Sequence, residues 1–340
     1  MDWNCAPTCI GSLPHIDPAK AVDLVLSELK EVPYWPQLPA LGFQENMYAQ
    51  FSTGLPGIVI DPEAKRITVD LSHYDPEQFY TAIISDDLDH FAYPQEGFRG
   101  FHEAMSRPPG PVKAIKGQVT GPISCGLQVF DQSGKSAIYD DVYGEIIRKN
   151  LNMCARWQER ELRERADKVI MFLDEPSLSL VGTPFAPIGP DRVVEWIDEV
   201  LHGLSCVKGI HCCGNTDWPM VLSTEIDLLS FDAYSYAFSV ALYPKELKAF
   251  LDRGGVLSWG IVPNTDTKLA EESVRSLLDR FEKGVEDLVA KGLDRGTILR
   301  RSLLTPQCGL GGLDEEGAAQ ALHLLNQLSQ AVRAKHRLEV

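Results

Sequence analysis

The sequence predicts an α/β protein folded as a single (β/α)8 barrel, and three observations carry that expectation. Short apolar runs alternate with longer amphipathic stretches along the 340 residues, the pattern of a parallel sheet covered by helices. Seven or eight strand–helix units fit this length, which favours a closed barrel over an open doubly wound sheet. No Gly-x-Gly-x-x-Gly follows the first apolar run, so the signature of a dinucleotide-binding sheet is missing.

The strand candidates, in order, are Pro7–Ser12, Val112–Val119, Lys168–Leu173, Cys206–His211, Leu228–Phe231, Val256–Ile261 and Ser302–Thr305. Each is short, apolar and bounded by turn-forming or polar residues. The first helix is expected over Pro18–Leu29, with Asp17 as N-cap, Pro18 at the first helical position and Val22, Leu24, Val25 and Leu29 on one stripe. Periodicity places further helices over Ala137–Arg165, Asp191–Leu201, Lys245–Leu251, Leu269–Val289 and Glu315–Val332. The stretch from Tyr34 to Arg107 breaks the alternation. It is rich in Pro, Gly and aromatic residues, and Gly57–Asp61 with Arg66–Asp70 suits a β-hairpin. It reads as an elaboration between the first two barrel strands of one domain spanning residues 1–340.

Composition narrows the function. A formal net charge of −16 argues against nucleic acid and anionic membranes as partners, since phosphate binding needs a basic stripe. No apolar run reaches the roughly 18–20 residues of a membrane span. The opening Met1-Asp2-Trp3-Asn4 has neither a basic nor an apolar segment of a secretory leader. The eight cysteines are therefore expected as reduced thiols of a cytoplasmic protein.

Reactive residues fall where the strands end, which is where barrels collect function. They are Ser12, Gln118 with Thr120, Asp174 with Glu175, His211 with Cys213, Asp232, Asn264 and Cys308. In His211-Cys212-Cys213-Gly214-Asn215, alternate residues of an extended strand end share a face, so His211 pairs with Cys213 and Cys212 points away. Cys308, in Pro306-Gln307-Cys308-Gly309-Leu310, supplies a second thiolate. One imidazole and two thiolates suit Zn²⁺ and leave a position for substrate. Asp232 fits either a weak fourth ligand or a helix N-cap. Asp174 suits a base or the partner of a substrate ammonium. Gly11 permits close backbone approach, and Ser12 offers a hydroxyl and an N–H to a carboxylate. Asp174 and Asp232 are thus the candidate catalytic carboxylates.

Taken together, Ile10-Gly11-Ser12-Leu13-Pro14, Asp174-Glu175-Pro176, His211-x-Cys213 and Cys308-Gly309-Leu310 resemble the catalytic C-terminal half of the cobalamin-independent methionine synthase family, in order and spacing, over nearly the whole chain. The resemblance implies a (β/α)8 barrel, a zinc held by His211, Cys213 and Cys308, and homocysteine as the methyl acceptor. It implies that Ser12 and Asp174 hold the homocysteine carboxylate and ammonium, with Glu45 as a further substrate-binding acid. Gln118 joins the substrate-binding candidates through its strand-end position. Asp232 falls near the family's carboxylate ligand, but is Asp where that family has Glu, a few residues closer in sequence.

Two departures shape the expected chemistry. The family's second, N-terminal barrel has no room in 340 residues. The family's His near Gly260-Ile261-Val262-Pro263-Asn264, which protonates the departing folate nitrogen, has no counterpart in this stretch. The same segment and His211–Asn215 are equally similar to the methylcobamide:coenzyme M methyltransferases of the same superfamily. The expectation is therefore a methyltransferase that methylates homocysteine to methionine from methylcobalamin or a methylated corrinoid protein. The alternatives are a coenzyme M-type thiol methyltransferase and a non-catalytic zinc-binding barrel. Uroporphyrinogen decarboxylase shares the barrel but lacks the metal motif.

Overall fold

The computed structural model of the protein describes residues 2–339. Ten strands form among them: β1 (Ala6–Pro7), β2 (Ile58–Asp61), β3 (Arg66–Val69), β4 (Ile115–Thr120), β5 (Val129–Phe130), β6 (Val169–Asp174), β7 (Val207–Cys212), β8 (Leu228–Phe231), β9 (Val256–Val262) and β10 (Ser302–Pro306). Seven of them make one curled parallel sheet in the order β1-β10-β9-β8-β7-β6-β4. The helices between them are amphipathic and pack their apolar faces on the outside of the sheet, as parallel sheets require.

The strand expectations hold in number and direction, but β1 is shorter than Pro7–Ser12. Only two of its residues pair with β10. Beyond them the chain turns to another partner. Gln37 N donates to Gly11 O at 2.9 Å, Leu13 N donates to Gln37 O at 2.9 Å, and Lys116 N donates to Pro33 O at 2.9 Å. Residues 33–37 thus bridge β1 and β4, the two edges of the sheet. The first residues of the stretch expected as an elaboration thus touch both sheet edges through isolated bridges, Tyr34 with Lys116 and Gln37 with Ser12. The extension proper follows, with the expected hairpin formed by antiparallel β2 and β3 and β5 added in parallel to β3.

Two helix expectations are corrected by capping. The helix expected over Ala137–Arg165 starts at Asp141, because the Asp140 side chain accepts from Val142 N and Tyr143 N and closes the helix there. The stretch Leu269–Val289 divides into Asp266–Glu271 and Val274–Ala290, where Ser273 and Ser276 form a capping box.

Alternation along the strands separates two apolar clusters. Ile170, Phe172, Leu228, Val256 and Leu303 pack with Trp3, Ala6 and Ile10 on the inner face. Val169, Met171 and Leu173 join the larger cluster shared with the helices. Towards the C-terminal strand ends the inner face turns polar. Thr120, Asp174, His211, Ser230 and Ser258 are aligned across β4, β6, β7, β8 and β9. Among the described residues no helix is long and apolar enough to cross a membrane.

Candidate functional site

The polar row opens into a cleft of about 160 Å³ lined by Ile10, Gly11, Ser12, Gln37, Pro39, Glu45, Asn46, Met47, Asp174, Pro176, His211, Cys213, Cys308 and Gly309. On its floor, one ring nitrogen of His211 and the sulfurs of Cys213 and Cys308 lie within 4.8 Å of one another. His211 is positioned by β7, Cys213 by the turn that follows it, and Cys308 by the turn after β10. The chain is brought back at Cys308 by Leu310 N, which donates to Ser12 O at 2.8 Å. Gly309 is needed for this approach, since a Cβ there would lie 2.1 Å from Ser12 Oγ.

The ring of His211 is fixed in one direction. Its Nδ1 lies 3.0 Å from Ser230 Oγ. Its Nε2 is buried and has no hydrogen-bond partner, a costly state for a polar atom unless something binds it. Cys213 is held well below the ordinary thiol range by the hydrogen bond from Cys308 and then by His211. Cys308 is pushed up by the same contact with Cys213 and by burial. A cation between the two sulfurs would favour the thiolate form of both. This donor set, with an orphaned imidazole nitrogen and two adjacent sulfurs, fits a borderline-soft metal ion such as zinc. Cys212 turns away as the alternation requires. Its sulfur is buried, donates to Gly214 O, and has its pKa raised to about 12 by burial. All eight cysteines are free.

The remaining candidates separate. Asp174 ends β6 opposite His211, and its buried Oδ1 has no partner. Burial raises its pKa, against the opposing charges of Lys116 and His211. Glu45 lines the same cleft, with Oε1 accepting from Arg99 N at 3.4 Å and Oε2 unpartnered. Burial raises its pKa too, countered by Arg99. Ser12 lines the cleft with its hydroxyl accepting from Gly311 N at 3.3 Å.

Two expected residues do other work. Asp232 lies outside the three-residue cluster. Of the two roles its sequence position allowed, the structure gives it the N-cap of helix Ala233–Val240. Its carboxylate accepts from Ser235 N at 2.8 Å and from Gln307 Nε2 at 3.1 Å. Gln118 does not line the cleft. Its Oε1 accepts from Lys116 Nζ at 3.0 Å and its Nε2 donates to Trp35 O at 3.0 Å, which joins β4 to residues 33–37.

Sequence reasoning missed Gln37, Asn46, Met47, Lys116 and Gln307. The first three fall in the aperiodic stretch after Tyr34, where no local pattern marks a cleft. Lys116 carried a signal in principle, because a lysine inside an apolar strand has to be explained. It is fully buried, with Nζ 4.5 Å from the Phe172 ring centre and 5.5 Å from that of Tyr34. The neighbour of Asp174 is structural: Glu175 accepts from Ile123 N, Ser124 N and Ser124 Oγ at the start of helix Pro122–Gln128.

No protein-family model matches the chain, and no curated protein matches it in sequence. Solved structures do match in shape. A structure described as a B12-independent methionine synthase from Shewanella sp. W3-18-1, in complex with selenomethionine, aligns with a TM-score of 0.63 at 15% identity, over 98% of this chain and 99% of that one. A Listeria monocytogenes protein, provisionally described as a vitamin-B12-independent methionine synthase, aligns with a TM-score of 0.55 at 15% identity, over 96% of this chain and 98% of that one. At this identity the likeness concerns the fold. Over nearly its full length, the chain has the fold of B12-independent methionine synthase structures.

Proposed function

We propose that the chain is one zinc-dependent methyltransferase domain, a (β/α)8 barrel closed by residues 33–37, that methylates homocysteine to methionine. The observation that supports this is the convergence of two different donor sets on one cleft. His211, Cys213 and Cys308 offer the nitrogen and sulfurs of a soft site. Ser12, Glu45 and Asp174 line the same cleft with groups suited to the two charged ends of an amino acid.

A zinc ion held by His211, Cys213 and Cys308 would supply Lewis acidity that keeps the acceptor thiol ionised near neutral pH. Asp174 and Glu45 present unpartnered carboxylate oxygens to the acceptor ammonium. Ser12 contributes its hydroxyl to the carboxylate end. Held at both ends, the acceptor sulfur is kept where it can meet a methyl group in line, and such positioning is worth up to roughly 7–11 kcal/mol of barrier. Coenzyme M is the second reading for the acceptor. Its sulfonate carries no donor for Asp174 and Glu45, which argues for an amino-acid thiol.

Methylcobalamin or a methylated corrinoid protein is the proposed donor. A folate amine leaves only with a proton supplied to it, and Gly260–Asn264 offers no titratable group. Asn264 instead donates through Nδ2 to Gly309 O at 3.4 Å. Both structural neighbours are described as B12-independent, so the donor is what the experiment is aimed at. Zinc-loaded protein is incubated with homocysteine and methylcobalamin, and demethylation is followed by absorbance. Turnover is expected with methylcobalamin and not with methyltetrahydrofolate. Methionine formed at a comparable rate from methyltetrahydrofolate, with no corrinoid present, would falsify the donor assignment.

A further inference from the structure

We infer that Gln37 is a specificity-determining residue: its Oε1, beside Asp174, accepts a hydrogen bond from the ammonium of the acceptor and so selects an amino-acid thiol over a thiol without one. The inference rests on the reading of the cleft as a homocysteine site and adds a residue that the sequence did not single out.

The direction in which the Gln37 amide faces follows from a backbone carbonyl two steps away. Gly97 O can only accept, so the amide of Gln50 must turn Nε2 towards it, as it does. Gln50 Oε1 then faces Gln37, which must answer with a donor; Gln37 Nε2 lies 2.6 Å away. The remaining atom, Gln37 Oε1, is thereby turned to the cleft. The polarity of the relay leaves no second arrangement that satisfies all three groups.

The cleft is shaped to receive that oxygen. A Cβ on Gly11 would lie 2.2 Å from Gln37 Oε1 and 3.8 Å from Asp174 Oδ2. The absence of a side chain at Gly11 therefore makes room for the Gln37 oxygen itself, with Asp174 Oδ2 close to the same point. The backbone of Gln37 is fixed by its bonds to Gly11 O and from Leu13 N, each 2.9 Å. Gln37 is 4% exposed and its side-chain hydrogen bond uses Nε2 alone. Asp174 Oδ1 and Glu45 Oε2 in the same cleft are also without partners. Three acceptor groups with nothing to accept suit a ligand that is all donor. An ammonium offers three N–H donors and no acceptor, whereas a sulfonate would bring oxygen against oxygen.

A hydrogen bond to a charged donor is worth about 10- to 100-fold in affinity. The test is calorimetric and needs no methyl donor. Zinc-loaded protein is titrated with L-homocysteine and with 4-mercaptobutanoate, the same chain without the ammonium. Gln37→Met is expected to weaken homocysteine about 10- to 100-fold and to leave 4-mercaptobutanoate unchanged. Gln50→Met, which frees the Gln37 amide without lining the cleft, is expected to weaken homocysteine by a smaller factor, again selectively. Equal weakening of both thiols, or of neither, overturns the assignment, as does unchanged homocysteine binding in Gln50→Met if Gln37→Met does not fold. Wild-type protein that binds no homocysteine overturns the proposed function as well; normal wild-type binding with indifferent variants removes Gln37 alone.

Discussion

Ser230 Oγ lies 3.0 Å from Nδ1 of His211, across strands that hold the two residues in register. That bond occupies Nδ1 and leaves Nε2, buried and without a partner, as the ring nitrogen open to a metal held with the two cysteines. Groups behind a metal ligand typically contribute 10- to 100-fold in affinity by orienting it.

The metal prediction follows directly. Purified protein is expected to carry about one zinc per chain. Cys213→Ser and Cys308→Ser lose it, and Cys212→Ser keeps it because that thiol faces away. Ser230→Ala weakens zinc by roughly 10- to 100-fold without removing a ligand. Metal content by mass spectrometry and competition with a chelator read all four. Zinc lost from Cys212→Ser and kept by Cys213→Ser would reverse the assignment of faces.

Asp232 distinguishes a cap from a ligand. Its carboxylate is engaged by Ser235 N and Gln307 Nε2. Asp232→Ala is expected to cost about 1 kcal/mol of stability and to leave the zinc in place. Denaturant unfolding and metal analysis of the same sample check it; loss of zinc with unchanged stability would make Asp232 a ligand.

Asp174 is expected to act on the acceptor and not on the metal. Asp174→Asn keeps the volume and removes the charge opposite a substrate ammonium. Homocysteine binding should weaken by an order of magnitude or more, about 1.5–3 kcal/mol for a charged hydrogen bond, with zinc content unchanged. A variant that binds homocysteine as tightly as wild type takes Asp174 out of the site.

Lys116 leaves a signature in the pH dependence of stability. Burial brings its pKa from the ordinary 10.5 down to about 8, against the pull of Asp174. The folded state thus holds this proton more weakly than the unfolded state does. Stability attached to the group rises from pH 8 towards 10.5 and is lost as pH falls through the lower value. Relative to Lys116→Met, wild-type unfolding free energy should gain roughly 3 kcal/mol between about pH 7 and pH 10.5. Urea unfolding of both proteins across that range decides it, and a constant difference would mean that Lys116 titrates normally.

What the sequence determined by itself is what repeats locally or is written in neighbouring residues. Strand–helix alternation located all seven strands of the parallel sheet, because burial on both faces keeps such strands short and predominantly apolar, although β4 carries Lys116 and Gln118 and β7 carries Lys208. The two-residue period of an extended strand separated Cys213 from Cys212, and the strand ends pointed to Ser12, Asp174 and Cys308. What only the tertiary structure decided depends on partners far along the chain. Residues 33–37 enter the sheet through bonds to β1 and β4, with no strand-like run to announce them. Between the two roles the sequence left to Asp232, the contact from Gln307, 75 residues away, accompanies the cap. Gln118 turned to Lys116 and Trp35, and the Gln37 amide was oriented through Gln50 by Gly97. A hydrogen bond between distant residues leaves no period in the sequence, so the direction of a polar side chain is settled only when folding brings its partner into reach.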